Sequence, residues 1–364
     1  MPIPAGRPEG NHGRGEISAM TKRDEIGRTD EIPVVGGGDS KRLFSANHDE
    51  IRRAHVADVY FLKTRQILRA EGLADTPVVA DIHSSASGVF AGETEVRRLL
   101  GGRELTIRSV PEGERIEAGE TVMQIAGPYD EFGIHETALL GMLSSSSGWA
   151  TAAAECVAAA NGKPVACFAS RHLHPAVGPV MERAAMIGGC SSASNILGAR
   201  LAGSSPVGTI PHALALIVGD TLKTAELYIR HLKGSGPLVC LVDTFRDEPE
   251  ESARVAEALG EDLFGVRLDT PGELGGVTPK LVRATRAALD NAGAYHVKIF
   301  CSGGMNPERM PALIEAGADA FGVGSYISDA RPIDMTMDLK MIGGKPVAKR
   351  GRKPGPASNP RLRE

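Results

Sequence analysis

The stretch VKIFCSGGMNPERMPALIEAGADAFGVGSYI, Val297 to Ile327, reads as strand, glycine turn, helix, strand and a second glycine turn. Val297–Cys301 and Ala320–Val323 are short apolar runs bounded by turn residues, and the segment after Pro307 carries helical spacing. Two such strands joined by one helix form a parallel β/α unit, whose ligands gather where the strands end. Those ends are Ser302-Gly303-Gly304 and Gly322 to Ser325, with Gly324 between. Glycine lets backbone amides approach an oxyanion, and a following helix N-terminus adds a favourable dipole. Phosphate-binding barrels place their anion on the last two strand loops. The pair therefore points to a phosphorylated ligand, against the blander reading of tight turns alone.

The same alternation extends back to Lys163. Strand-like runs are "PVACFA", "PVGTIP", "LVCLVDT" and "FGVRLD", separated by helical segments such as "GPVMERAAMIG", "SASNILGARLAG" and "ESARVAEALG". The number of units predicts an α/β barrel over residues 163–330. Ahead of it, residues 41–162 read as a separate α/β domain. A helix is expected from about Asp49 to Ala70, then a strand at "PVVADIH" and short strands in "ELTIRSVPEGERIEAGETVMQIAGPY" turning at Pro111–Gly113 and Ala118–Gly119. A long helix follows from about Glu131, ended by Gly162 and Pro164. Residues 1–40 lack periodicity and are expected to be disordered. Residues 331–364 are expected to return across the molecule and end in a basic, Pro/Gly-rich solvated tail.

Composition sets limits. The chain has 364 residues, is 42% hydrophobic and carries a net charge of −4, so it can bury a core and gives no reason to expect nucleic acid as a partner. Aromatics at 4% also argue against base-stacking platforms. No apolar run reaches the roughly 20 residues that span a bilayer, and the polar N-terminus does not resemble a signal peptide. The five cysteines show no C-x-x-C pair and fit reduced, buried thiols of a cytoplasmic protein.

The remaining strand ends carry charge that a purely structural protein would not bury. "GTIPH" offers Thr209 and His212, "LVDTF" offers Asp243, and "GVRLD" offers Arg267 and Asp269 two residues apart on one face. That acid suits vicinal hydroxyls, as a ribose presents. Asp243 suits a sugar or a magnesium-bound water. His212 reads equally as base, nucleophile or hydrogen-bonded core residue. In "CFASRHLHP" the His172-x-His174 pair invites a metal, but Asp81 and His83, the tempting extra ligands, lie upstream in the other domain. Arg171, with its fork of donors, reads better as a clamp for a planar carboxylate.

At these residues the chain resembles the nicotinate phosphoribosyltransferase family, within the type II phosphoribosyltransferases that include the nicotinamide and quinolinate enzymes. The resemblance runs from about Arg42 to Lys349 on ordered segments: "DVYF", "EFGIHETALLG", "SRHLHP", "AAMIGGCSSASN", "VGTIPHALAL", "LVDTFRDE", "GVRLDTPGEL", "FCSGGMN" and "DAFGVGSYI". It implies an α/β barrel joined to an open-faced α/β sandwich domain. The implied reaction moves ribose 5-phosphate from phosphoribosyl pyrophosphate to the ring nitrogen of nicotinate, with Mg²⁺ on the diphosphate, in a dimer or larger assembly whose sites are shared.

By the same resemblance Tyr60 stacks on the pyridine ring from a neighbouring subunit and Phe168 stacks on the other face. Arg171, with His172 beside it, meets the nicotinate carboxylate and diphosphate. His212 is the histidine that becomes phosphorylated in ATP-coupled relatives, which leaves ATP open as a cofactor. Arg267 and Asp269 lie near the ribose, and Ser302 to Gly304 and Gly322 to Ser325 hold the 5-phosphate. Three departures bear on the pyridine substrate. Ser170-Arg171-His172 stands where the family reads Thr-Arg-Arg, Ser191 and Ser192 replace an acid and a glycine, and Ala57 precedes "DVYF" in place of threonine.

Overall fold

A computed structural model describes residues 25–33, 42–232 and 234–364. The N-terminal half opens with helices α1 (His48–Arg52) and α2 (Val59–Ala70). The single helix expected over Asp49–Ala70 is broken, because Ala54, buried at 3%, takes a left-handed φ of 61° that ends α1. Asn47 caps α1, its side chain accepting from the Glu50 amide at 2.9 Å. Strands β1 (Pro77–Ser84), β2 (Gly88–Val89), β3 (Thr106–Ser109), β4 (Arg115–Ile116) and β5 (Thr121–Pro128) follow, with helix α3 (Glu93–Leu100) between β2 and β3. The turns expected at Gly113 and Gly119 are present, both with positive φ. Helix α4 (Glu136–Ala159) then bridges the molecule: its Leu139 and Leu143 pack into one core and its Trp149, Ala153 and Cys156 into the next.

The second half is a parallel sheet. In chain order it runs β6 (Val165–Cys167), α5 (Gly178–Ile187), β7 (Ser192–Ala193), α6 (Ile196–Leu201), α7 (His212–Val218), α8 (Thr221–Leu232), β8 (Val239–Leu241), α9 (Glu248–Leu259), β9 (Gly265–Leu268), α10 (Pro279–Asn291), β10 (Lys298–Cys301), α11 (Met310–Glu315), β11 (Ala320–Val323) and α12 (Ser325–Ser328). Spatial order is β7-β6-β11-β10-β9-β8, all parallel, curled into a half-barrel with β7 and β8 at its edges. One expected strand is displaced. "PVGTIP" is irregular, tied to the sheet through the Val207 amide on the Ala193 carbonyl at 3.0 Å. The strand in its place, Ser192–Ala193, lies inside a stretch expected to be helical.

The chain then returns to the first domain. Strands β12 (Met335–Ile342) and β13 (Lys345–Pro346) complete an antiparallel sheet of order β13-β12-β1-β5-β3, in which Asp81 faces Asp338 and His83 faces Thr336. The basic tail expected to be solvated is instead a strap across this sheet. The Ala357 amide donates to Asp81 Oδ2 at 2.8 Å, Gln124 Nε2 donates to the Ala357 carbonyl at 2.8 Å, and Arg363 and Ser109 exchange backbone bonds of 2.8 Å. Leu362, buried at 4%, anchors the end.

The expected disorder of residues 1–24 and 34–40 lies outside the described residues, but residues 25–27 are packed while 28–33 are exposed. Ile26 is buried, and Glu25 sits among Arg65, Arg103 and His135. Long-range ionic partners hold this segment, which has no periodicity of its own. All five cysteines are free and buried. Burial pushes the thiols of Cys156, Cys167, Cys240 and Cys301 up to about 12, which keeps them protonated. Among the described residues, no helix is long and apolar enough to cross a membrane.

Candidate active site

The C-terminal ends of the parallel strands converge on Arg267. Its guanidinium spends its donors on three loops: Nε on Ser302 Oγ at 2.8 Å, Nη1 on Thr209 Oγ1 at 2.8 Å, and Nη2 on Asp269 Oδ2 at 2.9 Å. Ser302 Oγ in turn donates to Asp269 Oδ1 at 2.8 Å. The Phe168 ring lies under the guanidinium, 5.3 Å from its carbon, a cation–π geometry. Gly322 makes that ring position possible, since a Cβ there would fall 2.6 Å from Phe168 Cε2. Three strand ends and the irregular segment at Thr209 are thus locked by one charged network, and Ser302, buried at 3%, acts through its hydroxyl as the fastener.

A second group stands at the end of β8. His212, the first residue of α7, has Nδ1 3.0 Å from Thr244 Oγ1, while Nε2 faces Asp243 at 3.6 Å and Asp269 at 3.9 Å. Both oxygens of Asp243 are buried without a hydrogen-bond partner. Burial pushes its carboxyl up to about 6, against the opposing pull of His212. An orphaned buried carboxylate beside a second acid suits a hard cation or a hydroxyl-bearing ligand.

The glycine loops complete the mouth. Gly303 and Gly304 have φ of 77° and 62°, and a Cβ on Gly303 would come 3.3 Å from Asp269 Oδ1. Arg309 donates to both of their carbonyls, at 3.0 and 2.7 Å, turning the peptide oxygens to one side. Among the described residues, the amides of Gly303, Gly304, Gly324 and Ser325 meet no protein acceptor, as an anion cradle requires. A groove of 540 Å³ runs past both loops, lined by Gly304, Asn306, Ser325 and Arg331 together with Thr151 and Glu155 of α4. The Arg267 network is not part of its wall.

Arg171 is exposed in the loop after β6 and has no protein partner among the described residues. His172 leans over the second glycine loop, its Cε1 2.9 Å from the Cβ position of Gly324 and its Nδ1 3.2 Å from Ser328 Oγ. His174 turns away and accepts from the Ala176 amide at 3.2 Å, fixing the turn around Pro175. The His-x-His pair therefore does not converge. Tyr60 is not brought to this mouth within the chain. It lies 57% exposed on α2, its hydroxyl donating to Asp58 Oδ2 at 3.3 Å. Sequence reading missed Glu182. This fully buried acid of α5 accepts from Ser170 Oγ at 2.8 Å, Ser194 Oγ at 3.1 Å and the Asn195 amide at 2.7 Å, and so sets the loops after β6 and β7. An acid on the apolar face of "GPVMERAAMIG" was the available signal.

A half-barrel with two amide cradles on its final strands, beside an arginine–aspartate pair and an orphaned acid, defines a class of protein that handles phosphorylated sugars at its strand ends. The comparisons narrow the class. The family model "Quinolinate phosphoribosyl transferase, N-terminal domain" matches residues 58–147, and its C-terminal counterpart matches 149–338. A nicotinate phosphoribosyltransferase of Mycobacterium tuberculosis is 31% identical over 79% of this chain, and the match spans 65% of that relative's length. A probable carboxylating nicotinate-nucleotide pyrophosphorylase of Methanothermobacter thermautotrophicus is 26% identical over 80% of this chain and 98% of its own. The crystal structure of a nicotinate-nucleotide pyrophosphorylase from Pyrococcus furiosus superposes with a TM-score of 0.81 at 44% identity, covering 86% of this chain and 81% of that one. The chain belongs to the type II phosphoribosyltransferase family.

Proposed function

We propose that the protein transfers ribose 5-phosphate from phosphoribosyl pyrophosphate to the ring nitrogen of nicotinate, giving nicotinate mononucleotide and pyrophosphate in the salvage of NAD. The observation that carries this reading is Arg171, an exposed guanidinium three residues after Phe168 with no protein partner among the described residues. One free cation matches one carboxylate, and leaving it unpaired disfavours the amide. The residue beside it is His172, its Nδ1 3.2 Å from Ser328 Oγ. The family model and some relatives' names support a second reading, a carboxylating transferase acting on quinolinate, while other relatives are named nicotinate phosphoribosyltransferase, and the choice between them is the substrate question.

The pyridine nitrogen is already a nucleophile, so the protein supplies position and charge stabilisation more than a strong base. The amides of the two glycine loops would hold the 5-phosphate. Asp269, its carboxylate aimed by Arg267 and Ser302, would accept from the ribose hydroxyls and face the cationic ribose as the diphosphate leaves. Mg²⁺ would neutralise the departing diphosphate, and Asp243, with its orphaned oxygens, is the residue that fits it. His212 is placed to pair with these acids. In an ATP-coupled reaction it would be the phosphoacceptor, so ATP forms a separate arm of the assay. Exposed Tyr60 suits a role at a second copy's mouth, which makes a homodimer or larger assembly part of the proposal.

Calorimetry with nicotinate, nicotinamide and quinolinate on the protein without phosphoribosyl pyrophosphate, so that no turnover occurs, tests the reading. Nicotinate should bind most tightly. Tighter quinolinate would transfer the proposal to the carboxylating reaction.

A further inference from the structure

The outer face of the antiparallel sheet holds a polar centre that the barrel chemistry does not use. Period-two alternation sends Ala80 and Ile82 of β1 into the core and puts Asp81 and His83 on the other side. Asp338 and Lys340 of β12 share that side, and the C-terminal strap closes over it. Between sheet and strap lies a groove of 380 Å³ lined by His83, Ser85, Thr336, Lys340, Arg352 and Lys353.

The charges there do not balance. Lys340 is only 5% exposed, and among the described residues its ammonium donates to the Lys353 carbonyl alone. An ammonium has three protons to place, and a buried one without a counter-ion is costly. Both carboxylates of the strand pair have other partners, and Lys340 acts on Asp81, whose Oδ1 accepts no hydrogen bond, only through space. Asp338 pairs with Lys349 at 3.0 Å and Arg352 at 3.4 Å, and Asp81 accepts from the strap. No carboxylate of the described residues comes within ion-pair distance of Lys340. Lys353, on the strap, adds a further exposed cation. Burial holds His83 below its ordinary value, so it brings little charge at neutral pH, and burial pushes Asp81 up against the pull of the Ala357 amide and Lys340.

We propose that this groove is an anion site, separate from the barrel mouth, for the phosphate or diphosphate of a small phosphorylated metabolite. Lys340 supplies the buried charge, Lys353 and Arg352 the outer contacts, and Ser85 and Thr336 the hydroxyls. Because the strap forms one wall, occupancy also ties the C-terminus to the sheet.

Titrating the full chain with pyrophosphate, and separately with ribose 5-phosphate, tests this directly, since the stronger isotherm identifies a diphosphate or a sugar ester. Two classes of site per chain are expected. Lys340→Met should weaken one class by about tenfold or more, the loss of one charge-assisted contact, and Arg267→Ala should weaken the other. If only the Arg267 change fails to act, the barrel reading falls and the groove stands. Lys353→Ala, an exposed change, covers the case in which Lys340→Met does not fold, and should weaken the same class. A single class of site, or binding unmoved by Lys340→Met and Lys353→Ala, would overturn the proposal. So would a raised KM for phosphoribosyl pyrophosphate in Lys353→Ala, which would place the groove in the reaction site.

Discussion

Arg267 Nη2 lies 2.9 Å from Asp269 Oδ2, two residues along the same strand end, so the cation and the acid of the site hold each other in place. Ser302 fastens the pair from the next strand, receiving Arg267 Nε and donating to Asp269 Oδ1, each at 2.8 Å. Ser302→Ala leaves both atoms short of a partner, worth about 1–3 kcal/mol in a buried site. We expect kcat/KM for phosphoribosyl pyrophosphate to fall by roughly ten- to a hundredfold, while far-UV circular dichroism is unchanged. Steady-state kinetics with full activity would remove Ser302 from the positioning network.

Arg171 should behave differently, because nothing in the protein leans on it. Arg171→Ala is expected to raise the KM for nicotinate by about a hundredfold, the worth of a charge-assisted contact, with the melting temperature unmoved. A drop in melting temperature matching the loss of activity would make Arg171 a packing residue.

Asp243 gives a pH prediction. Its folded pKa of about 6 lies above the ordinary 3.8, so the folded state binds the extra proton. Stability should therefore fall as pH rises from about 4 to about 6 and stay reduced above. Asp243→Asn should raise the melting temperature of the ligand-free protein at pH 7.5 and lose that advantage near pH 4. If Asp243 holds Mg²⁺ as proposed, turnover should fall by about a hundredfold or more in the same variant. Thermal scans across that range showing no pH-dependent gain would contradict the assignment.

Glu25 makes the opposite prediction. Burial alone would raise it, but the His135 hydrogen bond and the Arg103 and Arg65 guanidiniums hold its carboxyl well below the usual range. Its stabilisation is present above about pH 4.5 and is lost as pH falls through its lowered value. Glu25→Gln removes one of the two carboxylates on buried Arg65, leaving Asp130 at 2.9 Å, and should cost about 1–3 kcal/mol at pH 7. Urea denaturation would show this, and an unshifted midpoint would mean the segment around Glu25 adds nothing.

Much of this was legible in the sequence because strand ends announce themselves: Arg267 and Asp269 share a face by simple alternation, and Ser302 and Gly303 follow an apolar run. What was not legible depended on long-range partners. Ser192–Ala193 is too short to show alternation, so its strand looked helical, while the apolar "PVGTIP" looked like a strand that the sheet does not take. The tail around Ala357 looked solvated because its hydrogen-bond partners, Asp81 and Gln124, lie more than two hundred residues away. Glu182 was hidden for a related reason, since an acid on a helix is ordinarily exposed and only three converging donors make its burial tolerable.

The central claim rests on which pyridine acid is consumed. Incubating the protein with phosphoribosyl pyrophosphate and Mg²⁺, with nicotinate, nicotinamide or quinolinate, with and without ATP, and measuring pyrophosphate release and carbon dioxide together tests it. Nicotinate-dependent pyrophosphate without carbon dioxide is the predicted result. Pyrophosphate and carbon dioxide released in equal amounts from quinolinate, with none from nicotinate, would contradict it.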